Sequence, residues 1–450
     1  MMSPKDSEET GYLESNFRKF NESLTDSETQ NLVSGVLREL FLRPYLPSRE
    51  LCTKFKLDKE DLKTAYSLIR SSKIAKKLFE ISPYRFLAVV LENLSRDSER
   101  TSKILSNEAP FPLAETMELF ISQKCNANCK FCYRDGQIYS EKSVLTSKQY
   151  VNVINEFADL HGQNLDISGG LEPLLSPSII DVIDAGLSRN LTVNLYTNGI
   201  ALDNLDVVKR LLKINRVRVS LNAYDRESYK EIMGVDQFHT VLRNITSFVE
   251  AKKESNSQVK IGISYVVSRE NYRQIFKVIK LAQQLQIDLL GLRSLEAVDK
   301  GAFGNEEITE LQSILNKVRI DNSLGRYGDL SVSVADTFNE VTDPSHDYVK
   351  YMNKDLVNAL SHFRITVTPQ GKLYALNLIG QPTRGDSRFL LGELAKGDSL
   401  SDLIINKKKV PFEPGFLLAH DISLIIALSK LDSDLKFGIG LEDNPFIWES

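Results

Sequence analysis

The chain has 450 residues, 42% apolar and 26% charged, which is too long for one small module and too apolar for general disorder. Its 56 basic and 60 acidic side chains leave a net charge of −4, so bulk charge advertises neither nucleic acid nor an anionic membrane as a partner. Uncharged apolar runs such as residues 422–429 (ISLIIALS) fall short of the ~20 residues that span a bilayer, and Met1 to Gln30 lacks the apolar segment of a signal peptide. The expectation is a soluble, cytoplasmic protein with no membrane partner.

Residues 1–30 are charged, rich in Ser and Thr and without sustained period, which predicts a flexible lead. From 31 to 110 apolar residues recur at helical spacing, as in Leu32, Val36, Leu37, Leu40 and then Leu62, Ala65, Tyr66, Leu68, Ile69, with Pro44 and Pro47 between the two stretches. A helical N-terminal domain follows. From 111 to 304 six short β-rich runs, at 117–121, 164–168, 191–197, 216–222, 260–268 and 287–293, alternate with segments of helical period. Each run reads as a strand covered on both faces, so the region is an α/β core, a partial (β/α)6 barrel of TIM type. The remainder, 305–450, begins with a helix (Ile308 to Val318) and adds a cysteine-free β-hairpin turning at Pro369-Gln370-Gly371-Lys372, appended to the barrel, and further helices.

Only four cysteines occur, and three lie within eight residues: Cys125, Cys129 and Cys132, in the loop after the first strand. A disulfide framework is implausible in a chain this large without a secretory signal. Three thiolates converging from one tight loop suit a metal. A structural zinc takes four closed ligands, whereas a 4Fe-4S cluster held by three leaves one iron open. Cys52, in the helical region, reads as a small buried hydrophobe. After the second strand comes Ser168-Gly169-Gly170-Leu171-Glu172-Pro173. Consecutive glycines there let a ligand approach the backbone, and equally suit a tight βα turn. Strand three ends in Tyr196-Thr197-Asn198-Gly199 and strand four in Ser220-Leu221-Asn222; polar residues at strand ends also serve as helix caps.

Cys-x3-Cys-x2-Cys after the first strand, with Phe131 before the third cysteine, resembles the signature of radical S-adenosylmethionine (SAM) enzymes. The resemblance implies one 4Fe-4S cluster on Cys125, Cys129 and Cys132, whose open iron chelates the amino and carboxylate groups of SAM. Reduction then gives methionine and a 5′-deoxyadenosyl radical, with an external donor such as flavodoxin or ferredoxin supplying the electron. It implies that Phe131 and Tyr133 contact adenine and that Ser168, Gly169, Gly170 and Glu172 border the SAM ammonium. Asn198 falls at a cofactor-facing strand end, and Ser220 and Asn222 fall where ribose hydroxyls are met. No cysteine follows Cys132, so auxiliary clusters are excluded.

Within that superfamily, residues 168–174 (SGGLEPL), Tyr196 to Asn198, Arg218 to Leu221 and Gly262 to Tyr265 resemble the TDP-4-amino-4,6-dideoxyglucose ammonia-lyase family, the radical SAM deaminases of desosamine biosynthesis. Asn222 and the strand-six exit, Arg293 to Asp299, depart from it. The resemblance implies a nucleotide-linked amino sugar as substrate, hydrogen abstraction from a hydroxyl-bearing carbon and loss of the adjacent amine. Arginines suit the pyrophosphate: Arg134, Arg293, Arg364, Arg384 and Arg388, each of which also suits a solvated surface. Glu296 and Tyr374 are candidates for proton transfer. Two alternatives stand beside this reading: a radical SAM enzyme modifying a peptide through an N-terminal recognition domain, and a regulatory protein holding zinc.

Overall fold

Alternation along the short runs sorts their side chains onto two faces of one sheet. The computed structural model describes residues 4–24, 27–106, 114–132, 144–168, 170–294, 303–335, 338, 351–353, 356, 359, 363–375, 389–394, 399–405 and 419–448. Its strands are β1 (Thr116–Phe120), β2 (Asn164–Ser168), β3 (Thr192–Thr197), β4 (Arg216–Ser220), β5 (Lys260–Val267), β6 (Leu289–Ser294), β7 (Ser331–Val334), β8 (Arg364–Val367), β9 (Lys372–Tyr374) and β10 (Leu390–Glu393). They form one ten-stranded sheet in the order β10-β9-β8-β1-β2-β3-β4-β5-β6-β7. From β8 through β7 every neighbouring pair is parallel, while β9 and β10 run antiparallel. Helices Ser147–Asp159, Ile179–Ser188, Leu205–Leu211, Phe238–Glu254, Ile275–Gln284 and Asn305–Ser323 lie between successive strands from β1 to β7. This is the α/β, partial-barrel architecture expected of the core, and the sheet does not close.

One face of the sheet is apolar. Met117, Leu119, Leu165, Ile167, Val193, Leu195, Val217, Val219, Ile261, Ile263, Leu290, Val332, Ile365 and Val367 are buried in a single core with the connecting helices. Each such side chain contributes roughly 1.5–3 kcal/mol on burial. The opposite face is polar: Glu118, Asp166, Asn194, Tyr196, Arg216, Arg218 and Thr366 alternate with the core residues. The expectation of strands apolar on both faces therefore fails, because one face is covered by helices and the other lines an interior.

The hairpin is part of the barrel sheet rather than an appendage. β8 pairs with β1, Thr116 opposite Arg364 and Glu118 opposite Thr366, and the Thr116 N–H donates to Phe363 O at 3.0 Å. An open half-barrel leaves the first strand's edge unpaired, and β8 satisfies it.

Helices Pro4–Glu22, Ser27–Leu42, Ser48–Phe55, Lys59–Arg70, Lys73–Glu80, Arg85–Arg96 and Ser98–Ser106 make the N-terminal region. The first runs through the segment expected to be a flexible lead, because Phe17 and Phe20 are buried there; two aromatics anchor an otherwise polar sequence. The helix Ala419–Phe437 and the residues after it join the same core, with Phe446 and Trp448 packed on Phe79 at ring separations of 5.1 and 5.6 Å. Asp434 accepts from the Ser48 N–H at 2.7 Å and pairs with the buried Lys430 at 2.6 Å. Among the described residues no helix is long and apolar enough to cross a membrane.

Candidate active site

The three-cysteine loop leaves β1 at its C-terminal end and is held from two sides. Behind it stands the helix Arg226–Met233, capped by Asp225, whose side chain accepts from the Ser228 N–H at 2.8 Å. Its last carbonyls take the loop backbone: Asn128 N–H to Met233 O at 2.9 Å and Lys130 N–H to Ile232 O at 3.0 Å. Gly234 ends the helix at φ 68°, and a Cβ there would lie 2.3 Å from Asn128 O. Only glycine lets helix and loop approach so closely. The Cys129 thiol points at the Met233 thioether, 3.7 Å away.

On the other side Glu172 and Asn198 connect β2 and β3 to the loop. The Glu172 N–H donates to Lys124 O at 2.9 Å. Its carboxylate is buried and accepts from Leu174 N–H at 3.1 Å, Thr197 Oγ1 at 2.6 Å and Asn198 N–H at 2.7 Å. Burial pushes its pKa up, and those three donors oppose the shift. Asn198 Nδ2 donates to Asn126 Oδ1 at 2.7 Å and towards Cys125 Sγ at 3.8 Å, and the Ala127 N–H lies 3.5 Å from the same sulfur.

These observations suit an iron–sulfur ligand set. Cys125, Cys129 and Cys132 are half-buried and outside any disulfide, and Cys125 faces N–H donors of the kind that stabilise cluster thiolates. Among the described residues no three His, Cys, Asp or Glu side chains are gathered closely enough to hold a metal ion. Cys52 is not a fourth ligand. It is buried in the helical core with its S–H towards Asp58 O at 3.4 Å, and burial raises its pKa, which leaves an inert thiol.

The other expected positions divide. Gly170 takes φ 31°, a backbone open to glycine, beside the loop. Ser168 turns away from the rim and donates to Glu118 Oε1 at 2.5 Å. Asn222, at φ 53°, spends its amide inside the fold: Oδ1 accepts from Val266 N–H at 2.8 Å and Nδ2 faces Met233 Sδ at 3.4 Å. It therefore positions β5 and Met233 instead of presenting that oxygen to a ribose. Ser220 faces Ser264 across the β4–β5 register, Phe131 packs against the barrel core, and Arg293 is exposed on β6 opposite Val266. Tyr374 is buried at the border of the helical core and stands opposite Thr366 in the β8–β9 register. Tyr133, Arg134, Gly169, Glu296, Arg384 and Arg388 lie outside the described residues.

Below the rim, the polar face forms a charged network that inspection of single motifs missed. Arg364 bridges Glu118 Oε2 at 3.2 Å and Asp166 Oδ2 at 3.4 Å, and Asp166 also accepts from Asn194 Nδ2 at 2.8 Å and Tyr196 OH at 3.4 Å. Arg218 lies over the Tyr196 ring at 5.1 Å. Burial, reinforced by Arg293, lowers its pKa to about 10, so it remains cationic at neutral pH. The signal was present in the alternation Arg216-Val217-Arg218-Val219, in which charge faces inward at every second residue.

Residues 119–287, the span of the β/α core, match the model of the Radical SAM superfamily. Proteins of this superfamily use a 4Fe-4S cluster and SAM, the cofactors that the three-thiolate loop accommodates. The chain is 28% identical over 216 residues to a probable GTP 3′,8-cyclase of Saccharolobus islandicus, covering 47% of this chain and 67% of the relative. It is 28% identical over 212 residues to the probable GTP 3′,8-cyclase of Saccharolobus solfataricus, covering 46% and 66%. Among solved structures, Streptococcus suis SuiB bound to precursor peptide SuiA is similar with TM-score 0.53 at 15% identity, covering 69% of each chain. SuiB bound to SAM is similar with TM-score 0.52 at 15% identity, covering 70% of this chain and 69% of that one. These two likenesses establish fold alone.

Proposed function

We propose that this chain is a radical SAM enzyme acting on a nucleotide or nucleotide-linked small molecule inside the barrel. The observation that carries the reading is the arrangement of the three-cysteine loop above a polar, arginine-bearing sheet face. When bound, the cluster and SAM supply an adenosyl radical able to abstract hydrogen. The protein's own part is to hold and orient. Cys125, Cys129 and Cys132 would ligate the cluster, Gly170 would leave room for SAM at the β2 rim, and Glu172 and Asn198 would fix the loop. The sheet face would hold the substrate out of bulk water.

Two named reactions fit such a site. Deamination of a nucleotide-linked amino sugar accords with the motif likeness around Gly170, Asn198 and Arg218, and the relatives named as GTP 3′,8-cyclases add a nucleotide as the alternative substrate. A peptide substrate is the weaker reading: SuiB shares the fold at low identity, and the N-terminal region here is helical, with no β-edge of the kind that commonly captures a leader among the described residues. A cytoplasmic setting with flavodoxin or ferredoxin as reductant belongs to the same proposal. The test is anaerobic turnover with TDP-4-amino-4,6-dideoxyglucose or GTP, each deuterated in the sugar. Deuterium in 5′-deoxyadenosine identifies the substrate; SAM cleavage without label from either rejects both.

A further inference from the structure

The acidic side of the barrel interior is saturated and the basic side is not. Glu118 is matched by Ser168 and Arg364, and Asp166 by Asn194, Tyr196 and Arg364. Across β3, Arg218 Nη1 and Arg216 Nε are buried donors with no hydrogen-bond partner among the described residues, and the Thr366 hydroxyl on β8 is in the same condition. Arg218 touches an aromatic face, which packs a guanidinium but is only a weak acceptor for its N–H groups. Arg293 on β6 and Arg216 both repel it. Four arginines stand here against two carboxylates, in a chain whose net charge is −4, so the excess is local.

A buried guanidinium with an orphaned donor is costly. Water could satisfy the N–H, and Asp166 attracts Arg218 less than Arg293 and Arg216 repel it, so a further negative charge is favoured beside it. Small residues follow Arg218 across the sheet: its register partner is Gly262, against which Leu289 packs closely, and one rung higher Ser264 faces the less crowded Gly291. Deepening the proposed function, on which it rests for the substrate's place in the barrel, we propose that Arg218, with Arg216 and Arg293 around it, is the receptor for an anionic group of the substrate, a phosphate or a carboxylate. Arg364 is excluded from this role because both of its carboxylates hold it. The guanidinium fork suits two oxygens of one anion, and anchoring the substrate deep on β4 leaves its other end directed at the rim where Cys125 and Gly170 stand.

The test is calorimetric titration of the full-length, anaerobically reconstituted protein with sodium pyrophosphate and with sodium malonate at low salt, with SAM present. At least one anion is expected to bind, and the tighter of the two identifies the source of the charge. Arg218→Met should weaken that binding about 10- to 100-fold, as the loss of a charge-assisted hydrogen-bond pair does, while SAM affinity is unchanged. Arg218→Lys should fall between, and Arg293→Gln should weaken binding severalfold; these two variants decide the matter if Arg218→Met does not fold. Equal anion affinity in the variants and wild type overturns the assignment, as does absence of binding by both anions. So does a parallel loss of SAM affinity, which would give Arg218 to the SAM carboxylate. SAM cleavage by wild-type protein is measured alongside. Cleavage without anion binding overturns the receptor alone, and anion binding without cleavage overturns the enzymatic reading alone.

Discussion

Replacing Glu172 separates a structural brace from a cofactor ligand. In Glu172→Ala the buried Asn198 N–H and the half-buried Leu174 N–H lose their acceptor, while the Thr197 hydroxyl can rotate. Each orphaned buried N–H costs about 1–3 kcal/mol, so the loss is about 2–6 kcal/mol. At about 2 °C per kcal/mol for a large domain, the melting temperature should fall by roughly 4–12 °C. Glu172→Gln keeps the shape but sets an NH2 against one of those donors, and should fall by about half as much. Melting followed by circular dichroism on the apoprotein reads this directly, and titration of SAM into reconstituted protein reads the other arm. A brace predicts SAM affinity within about threefold of wild type in the folded variants, well under 1 kcal/mol. An unchanged melting temperature together with a SAM affinity weakened more than about tenfold, 1.4 kcal/mol, would refute the reasoning and return Glu172 to the SAM ammonium.

Cys129→Ala should abolish the cluster's absorbance and SAM cleavage while the melting temperature of the apoprotein stays within about 2 °C, since the loop lies above the core; Cys52→Ala should leave iron content unaltered. Gly234→Ala forces φ 68° on alanine and drives a Cβ into Asn128 O, so about 1–3 kcal/mol of strain should appear as a lower iron occupancy after reconstitution. Arg364→Met leaves Glu118 and Asp166 buried without their cation, and urea unfolding should register a loss of about 3–5 kcal/mol. Asn198→Ala removes the amide facing Cys125 Sγ; donors to cluster sulfurs raise the reduction potential, so a redox titration followed by electron paramagnetic resonance should place the variant at a more negative potential.

Local patterns made the core legible. The β/α alternation placed β1 to β6 to within a few residues, and the spacing of Cys125, Cys129 and Cys132 pointed to the candidate site. What stayed hidden depended on long-range pairing. Nothing local to Arg364 says that β8 lies against β1, and the role of Asn222 follows from Val266 and Met233, residues brought to it by β5 and the helix Arg226–Met233. The helix Pro4–Glu22 was missed because two buried phenylalanines, Phe17 and Phe20, outweigh a polar composition once the C-terminal helices are present to join their core. The sheet interior could have been read from Arg216-Val217-Arg218-Val219, where strict alternation argues against burial on both faces.

The central claim is that three thiolates hold a cluster with one iron left for SAM. Electron paramagnetic resonance of the reduced, reconstituted protein tests it with a single addition. The account predicts a 4Fe-4S signal whose g-values shift when SAM is added, and 5′-deoxyadenosine in the same sample. A colourless, zinc-loaded protein, or a cluster signal indifferent to SAM because the chain supplies a fourth ligand, would contradict it.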